Sequence, residues 1–425
     1  MLLYQGGDTQ DEAQPPSGDK PTASSAPGTV QATEMFRVPP PTVDEGDMVS
    51  AKGSWLTDDH YVSGAPDALK AYHADTGKPA WTVPLSGNIC QASRDVTHDG
   101  KVAVVFAAAK APRSLCTQIA VVDITEGRKL WQRPLPQDAY LGLGLSVAIS
   151  EDIAAAGWPG GSAGYRISTA KRLWDAPPRG CGGEEHLGRR QLLTMIGCST
   201  ASGPQFRVER RSPETGEATW KYTLPGGIVS AWIVSADPLV FAVRTNEEAL
   251  DADRLLTVSS DGTVQATIDI GDDYVSGCDA DNGVCGAITT TADTIYIASD
   301  PHSFYKGNAI SAFDIRTGKR KWTSAAPDKR TVIPIHAEGE SAIAYMKSRG
   351  SKGSTVLRLD PETGKQTTLM QMPFGFDRAD AESSLVSDDM KNPAHYRDGL
   401  VFFHDGGNHF KDLVGSVMTL GYRRE

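Results

Sequence analysis

Residues 119–131 read IAVVDITEGRKLW: an apolar strand, a polar turn closed by Gly127, and a second strand that carries Trp131 four residues after that glycine. The phrase recurs along the chain. Clear copies are LKAYHADTGKPAW (Gly77, Trp81), VERRSPETGEATW (Gly216, Trp220) and ISAFDIRTGKRKW (Gly318, Trp322). Weaker copies are YRISTAKRLW, where Ala170 replaces the glycine ahead of Trp174, and LLTVSSDGTVQAT (Gly262) and VLRLDPETGKQTT (Gly364), which lack the Trp. Successive turns stand 50, 43, 46, 46, 56 and 46 residues apart, the period of a four-stranded propeller blade. Glycine suits the turn because it adopts φ > 0 without strain. The tryptophans, Trp81, Trp131, Trp174, Trp220 and Trp322, are read as staples at the junctions between blades.

Upstream of the turns lie apolar runs such as KVAVVFAAA (101–109), DIAAAGW (152–158), LVFAVRT (239–245), TIYIASD (294–300) and SAIAYMK (341–347). Their nearly continuous apolar character predicts inner strands buried on both faces. After the seventh turn only two strands remain, GLVFFHD (399–405) and SVMTLGY (416–422). The segment EMFRVPP (34–40) supplies the missing strand, closing the ring with both chain ends and leaving no free edge. The prediction is an all-β, eight-bladed β-propeller of four-stranded antiparallel blades, at about 49 residues per blade, with seven blades as the competing count.

The phrase resembles the repeat of the pyrroloquinoline-quinone-like (PQQ-like) propeller family, whose consensus ends in Asp-x-x-Thr-Gly-x-x-x-Trp. That family includes PQQ-dependent alcohol dehydrogenases and the non-enzymatic BamB-like lipoproteins that assist outer-membrane protein assembly. The resemblance spans residues 36–425 and implies a fold far more than a function.

Composition narrows the classes further. At 425 residues the chain is too long for one ordinary core, so many small cores are expected. A net charge of −11 without a basic stripe argues against nucleic acid or an anionic lipid surface as partner. No run approaches the roughly 18–20 apolar residues that span a bilayer. Met1-Leu2-Leu3-Tyr4 is read as the stub of a removed anchor, and residues 1–34, rich in Pro, Ser, Thr, Gly and acids, as a disordered tether ahead of a propeller at 35–425.

Six cysteines follow the repeat. Cys90, Cys181 and Cys278 fall 13, 11 and 16 residues after turn positions, opening the second, fourth and sixth blades, and each remaining cysteine shares a blade with one of them. The expected disulfides are Cys90 with Cys116, Cys181 with Cys198, and Cys278 with Cys285. Such pairs imply an oxidising, extracytoplasmic setting, secreted or held on the outer face of the cytoplasmic membrane.

No catalytic, cofactor-binding or metal residue is expected. The resemblance implies that a quinoprotein dehydrogenase holds its cofactor on the axis between a Trp floor and a disulfide of adjacent cysteines, with Glu, Asn and Asp around calcium. This chain has no adjacent Cys-Cys, and its Trp residues sit at the turn phase. Asp279, Asp281 and Asn282 look calcium-like, but Thr290 stands where a calcium loop starting at Asp279 needs Glu. His404 and His409 flank DGGN and are read as surface turn residues. The long sixth blade, 56 residues from turn to turn against a typical 46, marks a candidate contact surface. The expected role is a monomeric, non-enzymatic scaffold or sensor that binds a protein or cell-envelope ligand, with a quinone-dependent redox enzyme as the alternative.

Overall fold

The computed structural model describes residues 30–425 except 46, 111–113, 137–143, 159–160, 176–180, 189–190, 250, 280–283, 302–305, 387–393 and 411–416. Residues 1–29, which include Met1–Tyr4 and most of the expected tether, lie outside the described residues. Eight four-stranded antiparallel sheets follow one another around a ring. Blades 1 to 7 occupy 54–84, 89–134, 146–175, 181–223, 230–269, 288–325 and 332–371. Blade 8 combines His395–Arg397, Leu400–His404 and Thr419–Arg424 with the N-terminal strand Ala32–Val38. This is the eight-bladed ring closed by both chain ends. The N-terminal strand begins at Ala32, ahead of residue 34.

The repeated phrase owes its residue types to a turn that answers its own hydrogen-bonding groups. The Asp314 carboxylate accepts the N–H groups of Arg316 and Thr317 and the Thr317 hydroxyl at 3.1, 2.8 and 2.8 Å. Asp360 does the same for Glu362 and Thr363, and Asp123 for Thr125 and Glu126. The closing N–H then donates back four residues, as from Gly318 to the Asp314 carbonyl at 2.8 Å. This last residue sits in the left-handed region, with φ of 67° at Gly77 and 68° at Gly318. Ala170 adopts φ 56° at the same place, a conformation that costs an L-residue about 1 kcal/mol. Ala170→Gly is therefore expected to stabilise the protein by about 1 kcal/mol in chemical denaturation, and a loss of stability would refute the strain.

Glycine at this position also makes room. A Cβ on Gly364 would meet the Trp322 ring at 2.6 Å, and Cβ atoms on Gly127 and Gly216 would strike Trp81 and Trp174. Each staple thus packs beneath the turn of the following blade. Trp131 reaches the next turn through its indole N–H, which donates to the Ile167 carbonyl at 2.7 Å, and Trp322 donates to Pro361 at 2.8 Å. Blade 8 has Phe36 in this place, in contact with Gly77 of blade 1 and stacked on Tyr72 at 4.7 Å. Its register repeats that of the tryptophans: one residue is skipped just before Phe36, as before Trp131 and Trp322.

Hydrophobic cores lie between neighbouring blades. Tyr345, Val356 and Met370 of blade 7 pack with Val401, Phe403 and Tyr422 of blade 8, and comparable clusters fill five other seams. Two seams hold fewer buried residues: Ala148, Ile153, Ala155 and Leu192 between blades 3 and 4, and Tyr61, Ala74 and Phe402 between blades 8 and 1, where Phe36 and Tyr72 add partly buried rings. The apolar runs expected as inner strands are the second strands out from the axis, flanked on both sides. The innermost strands carry polar side chains such as Ser54, Gln91, Glu185 and His395. They border the axis, so only one of their edges faces protein. An α-helix, Phe376–Leu385, fills the wedge between blades 7 and 8.

Candidate functional site

Strand parity sorts the loops. In a four-stranded antiparallel blade, the connection entering the first strand and the connection from second to third strand leave at one end, here called the front. The connection from first to second strand and the turn from third to fourth leave at the back. The repeated glycine turns are therefore all at the back.

The three disulfides are all at the front. The structure joins Cys90 to Cys116, Cys181 to Cys198 and Cys278 to Cys285, the pairings expected from the repeat, and leaves no free cysteine. Cys90 lies on the innermost strand of blade 2 and Cys181 opens that of blade 4. Cys278 does not open blade 6: it lies in a small hairpin, Cys278–Asp279 with Val284–Cys285, inserted before the first strand Ile288–Thr290. That insertion accounts for the length of the sixth blade. It also places the candidate contact loop on the front; Asp281 and Asn282 lie outside the described residues.

Three of the exposed large apolar side chains share this end. Met48 lies on the linker into blade 1, Leu115 on the loop before the third strand of blade 2, and Phe376, 85% exposed, at the start of the helix. Met48 and Leu115 are near neighbours. The Met48 carbonyl accepts from the Asn88 side chain at 3.2 Å, the Asn88 carbonyl accepts from Ala107, and the Leu115 carbonyl accepts from Ala108. The strand Met48–Ser50 pairs with Asn408–Phe410, so the linker lies across the front near the axis.

The innermost strands place titratable groups around the axis. His395 meets the Ser54 hydroxyl at 2.9 Å, and burial lowers its pKa to about 4. His186 meets Thr194 at 2.9 Å, and burial lowers its pKa to about 3. Both are neutral at pH 7. His404 and His409 are not surface residues: both are buried, His404 between Thr419 at 2.9 Å and the Ala51 carbonyl at 2.8 Å. The linker 43–53 folds over them, a long-range contact that no local pattern announces. Among the described residues no group of three His, Cys, Asp or Glu is placed to hold a metal ion.

Glu185, on the innermost strand of blade 4, is half-buried and accepts the Ile233 N–H of blade 5 at 3.2 Å. Desolvation raises its pKa from 4.5 to about 8, outweighing that N–H and the charge of Arg94. Below pH about 4.5 the carboxyl is protonated in both folded and unfolded chains. Above it the unfolded chain ionises first, so the stability tied to the neutral carboxyl is lost as pH rises through 8. Glu185→Gln is neutral throughout. Its stability relative to the wild type should rise by about 2 kcal/mol between pH 5 and 8.5 in guanidinium unfolding, allowing for the water that the half-buried group still reaches. A difference that is constant with pH would mean that the folded carboxyl ionises freely.

The fold and its repeats define an eight-bladed propeller of PQQ-like repeats. The chain belongs to the family described as outer membrane protein assembly factor BamB, whose model matches residues 39–190 and 207–410. Among solved structures it is similar to BamB from Moraxella catarrhalis, with 13% identity, a TM-score of 0.50, and coverage of 90% of this chain and 100% of that one. It is also similar to a europium-containing methanol dehydrogenase, with 12% identity, a TM-score of 0.54 and coverage of 93% of each chain. At such identities the likeness is one of fold. A search of curated proteins finds no match to the sequence. Disulfides and family together point to an extracytoplasmic protein.

Proposed function

We propose that this chain is a non-catalytic, extracytoplasmic propeller, tethered through its N-terminal segment, that binds a protein or cell-envelope ligand with its front face. The observation that carries the reading is the gathering of three disulfide-pinned loops and the exposed Met48, Leu115 and Phe376 at one end of the ring. Pinned loops lose little conformational freedom on binding, and exposed apolar side chains are the usual anchors of an interface. The back, by contrast, is made of short repeated turns.

A quinone-dependent redox enzyme is the second reading, favoured by the likeness to a methanol dehydrogenase. The residues present do not fit the expected quinone site. The paired cysteines are 26, 17 and 7 positions apart, so none forms a disulfide of neighbours. Of the two tryptophans on innermost strands, Trp55 is fully buried with its N–H donated to Ser93, and Trp232 is half-buried against the cluster between blades 5 and 6.

Photo-crosslinking amino acids at Met48, Leu115 and Phe376, and at Arg128, Glu217 and Lys319 on the back, would test the proposal in a secreting host. Adducts from front positions alone are expected. Adducts from the back alone, or from neither end, would overturn it, and quinone-coupled oxidation of an alcohol by the purified chain would favour the second reading.

A further inference from the structure

We propose a metal site at the back of blade 1, where His60 and His73 together hold a late divalent transition ion of the zinc and copper class. His60 opens the second strand of the blade, His60–Ala65, and His73 closes the third, Ala68–His73, so the two are register partners at the back end of one hairpin. Just beyond them the Ala74 N–H donates to the Asp59 carbonyl at 2.9 Å. That bond makes His60 and His73 a non-hydrogen-bonded pair of the ladder, the kind that brings opposed side chains closest. Their ring centroids lie 5.3 Å apart. Two imidazoles on one ion, with Zn–N of about 2.0–2.1 Å and a tetrahedral angle, have centroids about 5 Å apart, so the rings stand at the spacing that chelation needs.

The neighbours fix the face that the pair shares. Tyr61 and Tyr72, adjacent in each strand, turn to blade 8, where Tyr61 stacks on Phe402 at 4.4 Å and Tyr72 on Phe36 at 4.7 Å. The histidines point the other way, toward blade 2, and the Trp81 ring meets His60 edge-on at 6.1 Å. Trp81 packs beneath Gly127 and so walls one side of the pair. His73 is exposed and His60 half-buried, which leaves a way in from the back.

Neither ring is spent on the protein. Among the described residues no hydrogen bond or ion pair reaches the imidazole of His60 or His73, whereas His186, His395 and His404 each meet a hydroxyl at 2.9 Å. Local charge admits a cation. Asp59 and Asp75 are exposed beside the pair, and Lys78, whose carbonyl accepts the His73 N–H, is exposed and screened by water. Imidazole ligands favour zinc and copper over calcium and magnesium, which prefer oxygen. With two protein ligands, the remaining positions stay open to water or to a donor from another molecule.

Titration calorimetry of the untagged chain, with Zn²⁺ as probe and Ca²⁺ as comparator, tests the site. Saturable 1:1 binding of Zn²⁺ is expected, with Ca²⁺ at least tenfold weaker. His73→Ala and His60→Gln should each weaken Zn²⁺ at least tenfold, and each serves if the other fails to fold. His336→Ala, at an exposed histidine of blade 7, should change nothing. By linkage Zn²⁺ should raise the thermal midpoint of the wild type and leave that of His73→Ala unmoved. Absence of saturable binding, equal affinity for Ca²⁺, or wild-type affinity in either folded variant would overturn the proposal.

Discussion

A chain that starts at Pro39 is expected to be recovered as aggregate or as open, protease-sensitive material, because it lacks the strand that completes blade 8. Ala32–Val38 pairs with Thr419–Arg424 along its whole length, and without it the third strand of blade 8 becomes a free edge. Phe36 contributes most of the packing. It sits beneath Gly77, stacks on Tyr72 and approaches Phe402 at 6.1 Å, so its loss opens the seam between blades 8 and 1. Phe36→Ala should cost about 3–5 kcal/mol. Phe36→Trp should be tolerated, since the equivalent register in blades 1, 2, 3, 4 and 6 holds Trp. Size-exclusion yield and denaturant midpoints of the three variants decide the matter. A monomeric Pro39 chain with the wild-type midpoint would mean that the ring is held shut some other way.

The difference between Phe36 and the tryptophans explains what was readable before the fold was known. The glycine turn was legible because its chemistry is local: Asp314, Thr317 and Gly318 meet within five residues, and Trp322 follows at fixed register. The donor of the closing strand could be named by elimination, yet nothing in EMFRVPP marks Phe36 as the substitute for Trp. The same holds for Ala266 of blade 5, a small residue at the Trp position whose neighbour Ile268 helps to cover Gly318.

The candidate sites were less legible because they depend on what the ring brings together from distant positions. His404 reads as a turn residue until the linker 43–53 covers it. Glu185 is unremarkable in sequence, and its raised pKa comes from burial beside blade 5. Cysteine pairing was legible because both members of each pair fall within one repeat length, so the register constrained them.

Glu382→Ala is expected to cost about 3–5 kcal/mol and to release the helix Phe376–Leu385 from the seam between blades 7 and 8. Ion pairs also connect this helix to the N-terminal strand, Arg37 with Asp377 at 2.8 Å and Arg378 with Glu34 at 3.3 Å. Asp377 is largely exposed, and pairs of that kind contribute roughly 0–1 kcal/mol. Glu382 is different. It is buried, and its two oxygens accept the hydroxyls of Tyr345 of blade 7 at 2.9 Å and Tyr422 of blade 8 at 2.8 Å. Burial and the neighbouring carboxyl push both phenols up, so each keeps its proton and donates. Removing the carboxyl leaves two buried hydroxyls without their acceptor and a void beside Ala381 and Leu385. Glu382→Gln keeps one good acceptor and the volume, and should cost less than half as much. Hydrogen exchange would show the helix opening in the alanine variant while the strands of blades 2 to 5 stay protected. A loss below about 1 kcal/mol with the helix still protected would mean that its apolar face alone holds it, and that the two tyrosines find other acceptors.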